Sequence, residues 1–163
     1  SSFKKTVPPS FAVDFAILPA PFVDLYRQAM NLAVTPPPAR SQIALAEFIR
    51  SGEILRQSKR IKAIYAARQQ SLRKSLKRHF GSGAKLSASN FGLHVLVQVS
   101  SKLADAEIVR RALELGLELE TTESFYCRKG VKGQFIIGFG SLSDGLIDEA
   151  VSRFAAAADI RLS

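Results

Sequence analysis

From Ile54 to Phe80 the chain runs without a glycine or a proline, and large apolar residues return at spacings of four and seven. Ile54, Ile61, Tyr65, Leu72, Leu76 and Phe80 therefore fall along one side of a long helix, which Gly81 and Gly83 stop. The other side of that helix is basic. Arg56, Lys59, Arg60, Lys62, Arg68, Arg73, Lys74, Lys77 and Arg78 lie within it, and no acidic residue occurs between Glu53 and Asp105. A helix of this length with one greasy stripe must lie against a second layer, so the rest of the chain has to supply one.

The flanking sequence supplies it. "FAVDFAIL" (11–18) reads as a short buried strand between prolines, and "PFVDLYRQAMNLAV" as a helix with Phe22, Leu25, Tyr26, Ala29 and Leu32 on one face. "TPPPAR" breaks that helix with three consecutive prolines, a stiff connector that marks a boundary near residue 36. "SQIALAEFIRSG" is a compact helix with Ser41 as its expected cap and Gly52 past its end. In "LHVLVQV" the residues Leu93, Val95, Val97 and Val99 alternate as one side of a strand, and "LELE" and "QFIIGF" are extended too. "DAEIVRRALELG" ends as a helix at Gly116, and "SLSDGLIDEAVSRFAAAA" is a terminal helix with Ser143 at its N-cap. From residue 36 the expected order is helix, helix, strand, strand, helix, strand, strand, helix. That is an α+β arrangement with helices over one face of a small sheet.

Composition closes off several classes. A single cysteine, Cys127, excludes an internal disulfide framework and fits a reducing compartment. No apolar stretch is long enough to span a membrane, and Asp14 with the prolines around it interrupts the leader-like start, so the chain reads as cytoplasmic. Met30 is the only methionine, so the Ser1-Ser2 start reads as a processed or trimmed end, the tail of a longer protein. The net charge of +9 is concentrated in the basic helix; such a run is either a solvated face or a footprint for a polyanion.

Catalytic side chains are sparse. His79 ends the basic helix and His94 sits in a strand, neither beside another metal-binding residue at ligand spacing, so both read as structural. Cys127 beside Arg128 and Lys129 has surroundings that lower a thiol pKa, though a passive loop cysteine fits equally. The glycines of "GSG" and "IIGFG" match no phosphate-binding loop. The adjacent Lys4 and Lys5 are a further candidate, since a lysine acts as a nucleophile only when neutral and a neighbouring positive charge lowers its pKa.

"SSFKKTVPPSFAVDFAILP" resembles the segment around the cofactor lysine of fold-type-I pyridoxal-phosphate enzymes. It is most similar to the aminotransferase-like domain of MocR/GabR-type regulators of the GntR family, whose relatives are class I/II aminotransferases. Ser2, Phe3, Lys5, Thr6, Pro9 and "ILP" fall into register with that segment. "QIALAEFIRSG", "LRQSKRIKAIYAARQQSLRKSLKRHF", "FGLHVLVQV" and "FIIGFGSLSDGLIDEAVSRF" resemble the family's later helices and strands, in order, to the end of the chain. The resemblance implies that residues 1–35 are the last piece of a large cofactor-binding domain. Residues 36–163 are then the small C-terminal α+β domain, mostly antiparallel sheet covered by helices.

By the same resemblance Lys5 is the catalytic lysine that holds pyridoxal 5'-phosphate, and Ser2 is a phosphate contact. Lys4 stands where the family has a second serine and adds a point charge toward the phosphate. Other positions depart from the pattern. Ala12 replaces an arginine that pairs with the phosphate, and Asp14 replaces a glycine. Ile136 occupies the place of the arginine that holds a substrate carboxylate in the aminotransferases. A guanidinium's paired hydrogen bonds have no substitute in these side chains. The resemblance thus implies an effector-sensing domain with weakened cofactor binding and weak or no transaminase activity. Its effector is an amino acid, an amine or the cofactor itself. DNA is contacted through a separate N-terminal domain, and the complete protein is a homodimer. Two alternatives remain open: a fragment of a class I/II aminotransferase, or a basic module that holds nucleic acid through residues 56–79.

Overall fold

A computed structural model describes residues 3, 6–7, 13–33, 36, 38–87, 92–127 and 130–160. The chain divides into two compact units, Ser1–Lys62 and Ala63–Ser163.

In the first unit a single 3₁₀ turn, Ala20–Phe22, leads into helix α1, Val23–Ala33. Helix α2 is Ala39–Arg50, and α3, Glu53–Phe80, begins in this unit. The strand expected over 11–18 is not formed by the described residues 13–18, which hold one isolated bridge at Asp14. A strand needs a hydrogen-bonded neighbour along its length, and the described elements of this unit are helices. The apolar face of α1 is present but not covered: Phe22, Leu25, Tyr26 and Leu32 are all exposed, Leu32 at 90%. The N-cap of α2 is Pro38, so Ser41 lies inside the first turn and is not the cap. A proline ring fixes φ near the value that helix entry needs, and the missing N–H costs nothing there. Gly52 ends α2 with φ +77°, the left-handed turn that lets α3 start immediately.

The second unit has the expected order of elements. The end of α3 leads through a 3₁₀ turn into strand β1, Ala84–Leu86, then β2, His94–Val99. Helix α4, Asp105–Glu114, precedes β3, Glu120–Thr121, and β4, Gln134–Gly138; helix α5, Asp144–Ala157, closes the unit. The four strands pair antiparallel in the order β1-β2-β4-β3. On β2 the alternation holds: Val95, Val97 and Val99 are buried, while His94 is exposed. Phe135 faces Val97 across the β2–β4 ladder on the same buried side.

The core lies between that sheet face and the helices. Leu72, Leu76 and Phe80 of α3, Ile108 and Ala112 of α4, and Ile147, Val151 and Phe154 of α5 close over it. Phe154 sits centrally, with ring centroids 5.0 Å from Phe80 and 5.2 Å from Phe135. Ser143 precedes α5 as expected but makes no side-chain capping bond. Among the described residues no helix is long and apolar enough to cross a membrane.

Candidate functional site

The residues expected to hold a cofactor, Lys5, Ser2 and Lys4, lie outside the described residues, as does Ala12. Their described neighbours are anchored. The Phe3 carbonyl accepts the N–H groups of Thr6 at 2.8 Å and Val7 at 3.0 Å, and the Phe3 N–H donates to the Val13 carbonyl at 3.4 Å. The Phe3 ring packs on Phe15 with centroids 5.1 Å apart, and Val7 is buried. Asp14 is exposed.

The other candidate position, Ile136, is on β4. Its neighbours Phe135 and Ile137 are core and core-flanking residues, so strand alternation turns Ile136 to the face away from the helices. There it stands in register with Leu96 of β2 and Glu120 of β3. A recess of about 440 Å³ opens on this face, lined by His94, Glu118, Leu119, Glu120, Ile136 and Gly138. Gly138 is opposite His94 in the ladder, and a methyl group added to it would meet the imidazole at 3.3 Å. The missing side chain lets the His94 ring lie across β4. Among the described residues the lining offers two carboxylates, one imidazole and an apolar floor, and no lysine or arginine that would hold a carboxylate.

His79 is part of a polar cluster that the sequence did not signal as such. The Ser75 hydroxyl donates to Asp148 Oδ1, Arg78 reaches the same oxygen at 3.0 Å, and His79 Nε2 lies 3.3 Å from it. The Ser75 hydroxyl does most to hold the Asp148 carboxyl below its ordinary pKa; desolvation, the next largest effect, opposes it, and the Arg78 charge and the His79 ring lower it further. Hydroxyl and imidazole both turn to one carboxylate oxygen, so the imidazole is not positioned to take a proton from the serine. The cluster ties the end of α3 to α5. Its sequence signal was Ser75 itself, a buried polar residue beside Leu76 in an apolar stripe, which demands a partner.

The remaining candidates gather no chemistry. Cys127 is a free, exposed thiol. Among the described residues no group of three His, Cys, Asp or Glu is placed to hold a metal. Asp105, at the start of α4, receives the Gly133 N–H on both oxygens, at 2.9 and 2.8 Å, which fixes the turn before β4.

The element order and antiparallel sheet match known structures over nearly the whole chain. The α-aminoadipate aminotransferase of Thermus thermophilus, solved with N-(5'-phosphopyridoxyl)-L-leucine, superposes with a TM-score of 0.87. That superposition covers 97% of this chain and 40% of that one, at 22% identity. The fold is that of an aminotransferase C-terminal domain.

The kynurenine aminotransferase of Pyrococcus horikoshii gives a TM-score of 0.82, over 97% of this chain and 39% of its own, at 18% identity. Sequence relatives of the chain divide between two kinds of protein. An HTH-type transcriptional regulator of Bacillus subtilis, YdeL, is 24% identical over 96% of this chain and 34% of its own length. The probable rhizopine catabolism regulatory protein MocR of Rhizobium meliloti is 21% identical, over 96% of this chain and 32% of its own. An aminotransferase of Saccharolobus solfataricus is 23% identical over 94% of this chain and 38% of its own length. No protein family model matches. The chain spans about a third of the length of these relatives. A C-terminal fold-type-I pyridoxal-phosphate domain fits these matches, as the resemblance of the sequence implies.

Proposed function

We propose that the chain is the C-terminal part of an aminotransferase-like effector domain in a MocR-type transcription regulator. One observation carries this reading: a chain with an aminotransferase fold aligns over nearly all its length with HTH-type regulators. In the complete cytoplasmic protein, residues 1–35 end the large cofactor-binding domain and residues 36–163 form the small domain. A separate N-terminal domain contacts DNA, and two copies build the site together.

The donor chemistry near the N-terminus suits pyridoxal 5'-phosphate. Lys5 offers an amine for its aldehyde, while Ser2 and Lys4 offer a hydroxyl and an ammonium group for its phosphate. When bound, the cofactor supplies a reactive carbonyl and an electron-withdrawing ring. Lys5 must be neutral to react, and the charge of adjacent Lys4 disfavours its protonated form. Ala12 in place of an arginine weakens the hold on the phosphate. Among the described residues no lysine or arginine stands by Ile136 to orient a carboxylate, so an α-amino acid is less well fixed for turnover, and an amino-acid or amine effector is sensed more than transformed.

The test is borohydride reduction of the complete protein with pyridoxal phosphate, followed by peptide mapping. A pyridoxyl label on Lys5 that is lost in Lys5→Ala supports the reading. A label on other lysines only, or none, overturns the cofactor assignment. A second reading, a fragment of a class I/II aminotransferase, is favoured by the Saccharolobus relative. Rapid transamination by the complete protein would select it.

A further inference from the structure

The sheet face turned away from the helices carries the opposite charge to the chain as a whole. The net charge is +9, yet the recess on that face is rimmed by Glu118 and Glu120, and its described lining holds no lysine or arginine. Leu119 between them is buried while both glutamates are exposed, so the two carboxylates fall on one side of the extended segment. Elsewhere in the same unit Glu107, Glu114, Asp148 and Glu149 each hold an arginine. Glu118 and Glu120 make no ion pair and no side-chain hydrogen bond among the described residues.

His94 completes the rim. A β-carbon added to Gly138 would lie 3.3 Å from His94 Cδ2 and 3.4 Å from Nε2, so a ring nitrogen faces the space that the glycine leaves. That nitrogen has no hydrogen-bond partner among the described residues. Ile136, in register with Leu96 on one side and Glu120 on the other, gives the floor an aliphatic surface. The space of about 440 Å³ suits a small organic molecule.

We infer that this recess holds a small aliphatic amine, its ammonium group between the two carboxylates and its hydrocarbon body on Ile136 and Leu119. Two neighbouring carboxylates repel one another, and an ammonium relieves that repulsion. Its three N–H donors match what two carboxylates and an imidazole nitrogen can accept. An anion meets only repulsion there. A metal ion fits poorly, because among the described residues no three His, Cys, Asp or Glu side chains are placed to ligate one, and it would leave the apolar floor uncovered. As the identity of an effector the amine rests on the function proposed above; as a binding site the recess does not.

The test is an amide NMR titration of the 163-residue chain with n-butylammonium chloride, and with sodium butyrate as the matching anion. Neither cofactor nor DNA is present, so failure here is separate from failure of the proposed function. Butylammonium should shift the amides of Glu120, Ile136 and Gly138 saturably, and butyrate should not. Glu118→Gln and Glu120→Gln should each weaken binding by about two- to fivefold, as expected for exposed ion pairs, and the double variant by about the product. Glu123→Gln removes an exposed carboxylate outside the recess and should leave the affinity unchanged. Methylammonium lacks the hydrocarbon body and should bind at least about fivefold more weakly. The inference is overturned by the absence of saturable shifts, by equal shifts with butyrate, or by an unchanged affinity in the double variant while its spectrum stays that of the folded chain. Equal loss in Glu123→Gln, or equal affinity for the two ammonium ions, overturns it as well.

Discussion

Phe154 is the residue on which the second unit's core turns, and Phe154→Ala tests that arrangement. Its ring is 1% exposed and touches two others, Phe80 from the end of α3 and Phe135 from β4. Truncating a buried phenylalanine costs about 3–5 kcal/mol. Two aromatic pairs, each worth about 0.5–1.5 kcal/mol beyond buried area, put this position toward the upper end. A domain of this kind has about 5–15 kcal/mol in total, so the loss is a large fraction. With a urea dependence of about 2 kcal/mol per molar, the midpoint for loss of helical circular dichroism should fall by about 2 M. Phe125→Ala removes the same atoms from a ring that is 64% exposed and should cost within about 0.5 kcal/mol. Combining Phe154→Ala with Phe80→Ala should recover a coupling of about 0.5–1.5 kcal/mol. Strict additivity of that pair, or a Phe154→Ala midpoint no lower than that of Phe125→Ala, would refute the three-ring core.

Glu107 accepts hydrogen bonds from Arg110 and Arg111, which hold its carboxyl at about 2, down from 4.5. Its folded-state pKa is depressed, so its stabilisation is complete above pH 4.5 and lost as pH falls toward 2; the urea midpoints of wild type and Glu107→Gln should differ at pH 6 and converge near pH 2. Gly133 has φ +77°, and a β-carbon there would lie 2.4 Å from the Val99 carbonyl oxygen. Gly133→Ala should therefore lose about 1–3 kcal/mol from the backbone alone and more from the clash, read as a melting temperature lower by about 5 °C or more. Ile136→Arg places a guanidinium among Glu118, Glu120 and His94, and the fold should survive it because the position is only half buried. In an amide NMR titration with succinate the variant should show shifts along β4 that the wild type lacks; equal shifts in both would show that the recess already holds carboxylates.

The second unit was legible because most of its elements carry their own signal, the short β1 excepted. Val95, Val97 and Val99 alternate, Leu72, Leu76 and Phe80 keep helical spacing, and Gly116, with φ +72°, stops α4 where the sequence stops it. These patterns concern residues that meet inside one layer pair, so local periodicity and the final packing agree. The first unit was less legible for the same reason. Phe22, Leu25 and Leu32 have the spacing of a buried face, and "FAVDFAIL" has the composition of a buried strand, yet no described element of that unit covers the one or pairs with the other. Periodicity records which side of an element is apolar. It does not record whether the partner is in the same stretch of chain.

For the candidate site the residue identities were legible in the sequence, and their surroundings only in the structure. Ile136 was recognisable as the wrong chemistry for holding a carboxylate, but not that Glu118, Glu120 and His94 would gather beside it. His94 is on β2, Glu120 on β3 and Glu118 just before β3; these strands are distant in sequence and brought near one another, on either side of β4, by the strand order β1-β2-β4-β3. That order also explains why the face is open. The helices cover one side of the sheet, so the polar residues of alternate register are left on the other, together with the glycine that lets His94 lie flat. One alternation therefore sets both the core and the recess. Phe135 cannot point into the first without Ile136 pointing into the second.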